Sequence, residues 1–166
     1  MPFSQHYSFE ELSTAVDQLH VYGVPPKLYV SQDTYLYKLL LSYAPTLPLK
    51  VYTLAARHNL SDLAVATSSH LLSFNLSNLT EETAEAIGSE YLRRLFFLHM
   101  GRLDALKRLL SSPPNSHTPT ADCNVKDLTR AWALASVYLA WDLRPEHLHT
   151  HIKELSVQWS HVKCTI

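Results

Sequence analysis

Residues 51–72 read VYTLAARHNLSDLAVATSSHLL, and the fold turns on where this stretch divides. Leu47, Val51, Leu54, Ala55 and His58 recur at helical spacing, then the pattern stops at His58-Asn59 and restarts at once. Asparagine, like glycine, takes the left-handed backbone that ends a helix at low cost. Asn59 is therefore a stop, Leu60 is apolar just beyond it, and Ser61 and Asp62 are placed to cap or charge a further helix running to Phe74.

The same punctuation occurs about 36 residues earlier. Ser8 and Glu11 form a capping box, Phe9, Leu12, Val16 and Leu19 make a stripe up to Tyr22, Gly23 is the stop and Val24 follows it. Pro25-Pro26 blocks continuation and opens a helix expected over 27–43. Residues 9–43 and 47–74 thus read as two helical hairpins of one pattern. After a polar turn at 75–80, Thr80, Glu81 and Glu82 start a short helix ending near Gly88. Ser89 then opens a long helix whose expected face is Leu92, Leu95, Phe96, His99, Leu103, Leu106 and Leu110. The three prolines of 111–122 mark a loop. A closing pair carries Leu128, Trp132, Ala135 and Leu139 on one helix and Leu148, Ile152, Leu155, Trp159 and Val162 on the other. With no alternating run that competes as a strand, the expected fold is all-α. It is a compact bundle of about seven helices in a single domain over 1–166, made of 1–74, 75–111, the loop 112–122 and 123–166.

Composition narrows the function classes. A chain of 166 residues that is 46% hydrophobic has material for a real core. A formal charge of -1 supplies no field for gathering nucleic acid or an anionic membrane. No apolar run reaches the roughly 18 residues of a membrane helix, and the N-terminus reads unlike a signal peptide. With two cysteines, the expected setting is intracellular, cytoplasmic or nuclear. Three glycines, at 23, 88 and 101, are too few and too scattered for a phosphate-cradling loop or a dinucleotide fingerprint. No nucleophile elbow or H-E-x-x-H is present, and Glu10-Glu11 and Glu81-Glu82 sit where they complement helix dipoles. The expectation is no catalysis, no cofactor and no small-molecule substrate.

Two features remain. Ten histidines are unusual, and on a helical wheel His147, His151, Glu154, Gln158 and His161 fall on one flank, with Cys164 three residues after His161 and Cys123 across the loop. The plain reading of this flank is a solvated polar face. Zinc or ligand binding there is the alternative to a protein-interaction role. The second feature is aromatic: Tyr29, Tyr35, Tyr37 and Tyr43 crowd one short region, more than a single buried stripe requires, which suits a protein interface, with half-exposed core tyrosine as the equal alternative.

The order of pieces also resembles a known family. FEELSTAVDQLHVYGVPPKL at 9–28, PLKVYTLAARHNLSDLAVATSSHLL at 48–72, SEYLRRLFFLHMGRLDALKRLL at 89–110 and WSHVKC at 159–164 are similar to the helical region that follows the strand core of BTB/POZ proteins, in particular those of mushroom-forming fungi. The resemblance implies a non-catalytic protein-binding module, adaptor-like in some relatives. The strands that build a BTB dimer have no counterpart in this sequence. If such a layer normally covers the first hairpin, Leu12, Val16, Leu19 and Tyr22, with Tyr29, Tyr35 and Tyr37, are left as a partner-binding face. A homodimer or tight oligomer through residues 1–45 is then expected.

Overall fold

A computed structural model describes residues 7–111 and 125–141. Among them every regular element is helical: α1 (Phe9–Val21), α2 (Pro26–Tyr29), α3 (Tyr35–Ser42), α4 (Pro48–Arg57), α5 (Ser61–Ser68), α6 (Glu81–Ser111) and α7 (Val125–Trp141), with single 3-10 turns at Ser69–Leu71 and Leu76–Asn78. The all-α expectation holds, with seven α-helices among the described residues. None of them is long and apolar enough to cross a membrane. The chain divides into two compact units, Met1–Leu98 and His99–Ile166. The closing helix of 145–162, the loop of 112–122 and the whole histidine-cysteine flank lie outside the described residues.

Both stops sit where the sequence places them, and they are built alike. Gly23 has φ +72° and Asn59 has φ +53°. At the first, Gly23 N–H donates to His20 O at 3.0 Å and Val24 N–H to Leu19 O at 2.9 Å. At the second, Asn59 N–H donates to Ala56 O at 3.1 Å and Leu60 N–H to Ala55 O at 2.7 Å. Each is a Schellman motif, which satisfies two carbonyls the helix end would otherwise orphan. The entry of α1 is equally legible: Ser8 accepts from Glu11 N–H, and Glu11 Oε2 accepts from Ser8 N–H at 2.7 Å. That backbone bond first, and then the Ser8 hydroxyl donating to the same Oε2 at 2.9 Å, hold the Glu11 carboxyl below its ordinary value.

Departures follow from local chemistry. The helix expected over 27–43 is two helices, because Thr34 is an N-cap. Its Oγ1 donates to Ser31 O at 2.8 Å and accepts from Tyr37 N–H at 3.3 Å, so a turn interrupts the run. The hairpins therefore share a stop but not the arm that follows it. Ser61 does not cap α5; Leu60 occupies the cap position with no side-chain bond. Leu60 closes one Schellman motif and offers its own carbonyl to Ala64 N–H at 3.0 Å, leaving no residue between the helices for a polar cap. That helix also ends sooner, its last turn tightening to 3-10 at Leu71 rather than reaching Phe74.

In the first unit α4 is the centre, with Val51, Tyr52, Leu54, Ala55 and Ala56 buried. It packs on α5, α5 also meets α3, and α1 meets α2 and α3. Ile87, Tyr91 and Leu95 of α6 complete the same core. Burying a leucine such as Leu54 is worth roughly 1.5–3 kcal/mol, so this cluster carries the unit's stability. Gly88, at φ +74° and ψ 160°, breaks α6 into 81–87 and 89–111 as its residue type suggests. The expected face holds except at one position: Leu95 and His99 are buried and Leu92, Leu103, Leu106 and Leu110 half-buried, while Phe96 is 44% exposed and Tyr91 is buried in addition. In the second unit α7 buries Ala135, with Trp132 and Leu139 half-buried and Leu134 and Val137 exposed.

Candidate interaction surface

The seven residues expected to face a partner divide. Leu12, Val16 and Tyr37 are core residues, at 6%, 0% and 7% exposure, and Leu19 is half-buried. The expectation that this stripe needs an outside cover is corrected for those three: they belong to one core cluster with Val30, Leu40 and the buried face of α4, and α2 and α3, which follow the first stop, meet α1. Tyr22, Tyr29 and Tyr35 are exposed at 79%, 52% and 70%. They are joined by two residues that periodicity did not single out, Val21 at 72% and Leu28 at 70%. All five fall in the fifteen residues 21–35, at the end of α1, on α2 and at the first position of α3.

This segment is anchored from below. Thr34 fixes the entry to α3, and Tyr37 O–H donates to Asp62 O at 3.5 Å, while burial raises the Tyr37 hydroxyl above its ordinary value. Tyr43 O–H donates to Tyr7 O, and its ring meets Phe9 edge-on at 5.8 Å between centroids. The two-residue α1 stop and the prolines at 25 and 26 leave the connection little freedom. Aromatic side chains held on such a frame lose little entropy when a partner covers them.

Several polar side chains of the first unit are committed to cross-links between its segments. Asp17 Oδ1 lies 2.6 Å from His58 Nε2; a carboxylate only accepts, so that ring nitrogen holds the proton. Arg57 Nη1 approaches Asp17 Oδ2 at 3.5 Å. The trio ties α1 to the end of α4. Lys50 Nζ adds an exposed pair to Glu10 at 2.6 Å. On the far side of α4, Tyr52 O–H donates to Tyr91 O at 2.9 Å, and Tyr91 O–H donates to Asn59 Oδ1 at 2.7 Å. The rings meet edge-on at 6.2 Å, and burial raises both hydroxyls above their ordinary values. Sequence reasoning found Asn59 as a stop but missed its side chain as an acceptor. An asparagine used where glycine is easier was the available signal.

Among the described residues no group of three or more histidines, cysteines, aspartates or glutamates is placed to hold a metal. The residues of the zinc alternative, His147, His151, His161, Cys164 and Cys123, are outside them. Of the histidines on or beside apolar stripes, His58 is clasped by Asp17, His99 is buried and His70 is exposed. No protein-family model, no curated protein and no solved structure matches this chain.

Proposed function

We propose that this protein is a non-catalytic protein–protein interaction module that works inside the cell. Its contact surface is the aromatic segment 21–35, and a second copy of the chain is the first partner. The observation that carries the reading is the exposure, between 52% and 79%, of Val21, Tyr22, Leu28, Tyr29 and Tyr35, five large apolar side chains within fifteen residues. Clustered exposed apolar groups mark association sites, and tyrosine is enriched where binding energy concentrates. The clasp of His58, Asp17 and Arg57 also supports it, since these groups are consumed in holding helices together. The resemblance to the helical region of BTB/POZ proteins belongs to the same proposal and suggests an adaptor-like role.

Sedimentation velocity of the full chain across a dilution series tests it. A reversible dimer is expected, with the combined Tyr22→Ser, Tyr29→Ser and Tyr35→Ser variant monomeric and unchanged in far-ultraviolet circular dichroism. A wild-type monomer at high concentration would refute the self-association. A dimer indifferent to the three changes would refute the surface.

A further inference from the structure

A second feature, on α4, α5 and α6 of the first unit, is separate from segment 21–35. It is a pocket of about 130 Å³. Ala64, Val65, Leu95 and Leu98 supply apolar walls, and the rings of Tyr52 and Tyr91 lie against them. Two polar groups meet the opening. Ser68 Oγ donates to Val65 O at 2.7 Å, which leaves it an acceptor for an incoming N–H. The Arg94 guanidinium carbon sits 4.9 Å from the centre of the Tyr91 ring, so the cation is held in place by stacking. Its Nη2 donates to Glu90 Oε1 at 2.5 Å, while Nε and Nη1 have no partner among the described residues.

We infer that this pocket receives one leucine- or phenylalanine-sized side chain of a partner peptide, with an acidic residue beside it pairing to Arg94. Size argues for a side chain over a free metabolite. Whole-ligand sites run to roughly 300–1,000 Å³, whereas a cavity of about 150 Å³ holds one benzene ring. Protein interfaces use pockets of this scale for single anchoring residues, with a rim that excludes water. Charge selects the neighbour: arginine presents several donors in one plane and only one is engaged. The Glu90 pair is no barrier, because Arg94 and Glu90 are 49% and 57% exposed and such surface pairs are weak. Val65, 68% exposed at the mouth, offers apolar contact to the peptide flanks.

The test is titration of the full chain with short glycine/serine peptides carrying one leucine next to a glutamate, read by amide chemical shifts and fluorescence anisotropy. Shifts are expected at residues 64–68 and 94–98. Replacing the glutamate by glutamine, or Arg94→Gln in the protein, should weaken binding roughly 2- to 5-fold. Glu90→Gln should strengthen it by freeing the cation. Ala64→Leu fills the pocket and should abolish binding. Should that variant misfold, Val65→Asp places a carboxylate at the exposed mouth and should repel the peptide. Equal binding by peptides with alanine for leucine, or with lysine for glutamate, would overturn the proposal. So would phenylacetate binding as tightly as the peptide, which would mark a small-molecule site. Neither result touches the reading of segment 21–35.

Discussion

Asn59 offers the most discriminating test, because one residue performs two separable tasks. Its backbone sits at φ +53°, and its Oδ1 accepts from the Tyr91 hydroxyl at 2.7 Å. Alanine at this φ costs roughly 1–2 kcal/mol against glycine. Losing the acceptor for the hydroxyl of Tyr91, a residue only 4% exposed, costs a further ~1–2 kcal/mol. Asn59→Ala should therefore destabilise the first unit by about 2–4 kcal/mol and Asn59→Gly by about 1–2 kcal/mol. The difference between the two variants isolates the backbone. Tyr91→Phe should cost about 1 kcal/mol or less, since Asn59 is exposed and can turn to water; combined with Asn59→Gly it should show coupling near 1 kcal/mol. Urea unfolding followed by far-ultraviolet circular dichroism reads these values. The tryptophans at 132, 141 and 159 all lie in the second unit, so their fluorescence serves as an internal control. If Asn59→Ala proves no worse than Asn59→Gly, the left-handed stop is refuted. If the double mutant is simply additive, the Tyr91 link is.

Four further outcomes follow from the same structure. Gly23→Ala should cost about 1–2 kcal/mol in urea unfolding, all of it from backbone strain at φ +72°, because an added Cβ meets nothing within 4 Å. Asp17→Ala should cost about 1–2 kcal/mol by leaving Nε2 of His58, whose side chain is 10% exposed, without its acceptor; Lys50→Ala, which removes an exposed pair, should change stability by under ~0.5 kcal/mol. Burial raises the Tyr37, Tyr52 and Tyr91 hydroxyls, so the stability they contribute is whole below the unfolded tyrosine value of 10.0 and falls as pH rises through the folded values. The urea midpoint should drop as pH rises above 10.0, less steeply in Tyr91→Phe. At the acid end the lowered Glu11 carboxyl works oppositely: its contribution is present above 4.5 and lost as pH falls, and Ser8→Ala, which loses the hydroxyl but keeps the backbone N–H, should reduce that part of the slope without removing it.

Segment boundaries governed by one residue's dihedral were readable from composition alone. Gly23, Asn59 and Gly88 each stand at a positive φ, and the Ser8–Glu11 box opens α1 as its spacing requires. Where several weak preferences competed, reading failed. The run over 27–43 has helical apolar spacing throughout, yet Thr34 prefers to cap, and that local bond outweighs continuity. The interaction surface was half legible. Tyr22 was picked out as the end of the first stripe, and Tyr29 and Tyr35 by aromatic density, which does not distinguish them from Tyr37, two residues beyond Tyr35 and buried.

What the chain determines unaided is where it must bend, since a left-handed backbone is cheap for glycine and asparagine and costly elsewhere. Stripe spacing likewise settles that the pieces are helices. Which side of each helix becomes core is decided only when the helices meet. Leu12 and Val16 looked in need of a partner yet join one core cluster with α4 and its neighbours, and Phe96 looked inward yet is exposed, while Tyr91 is buried. Burial depends on neighbours far along the chain, and no local spacing encodes it. The bond from Tyr91 to Asn59, across 32 residues, belongs to the same class: each partner was visible in the sequence, but only packing brings them together.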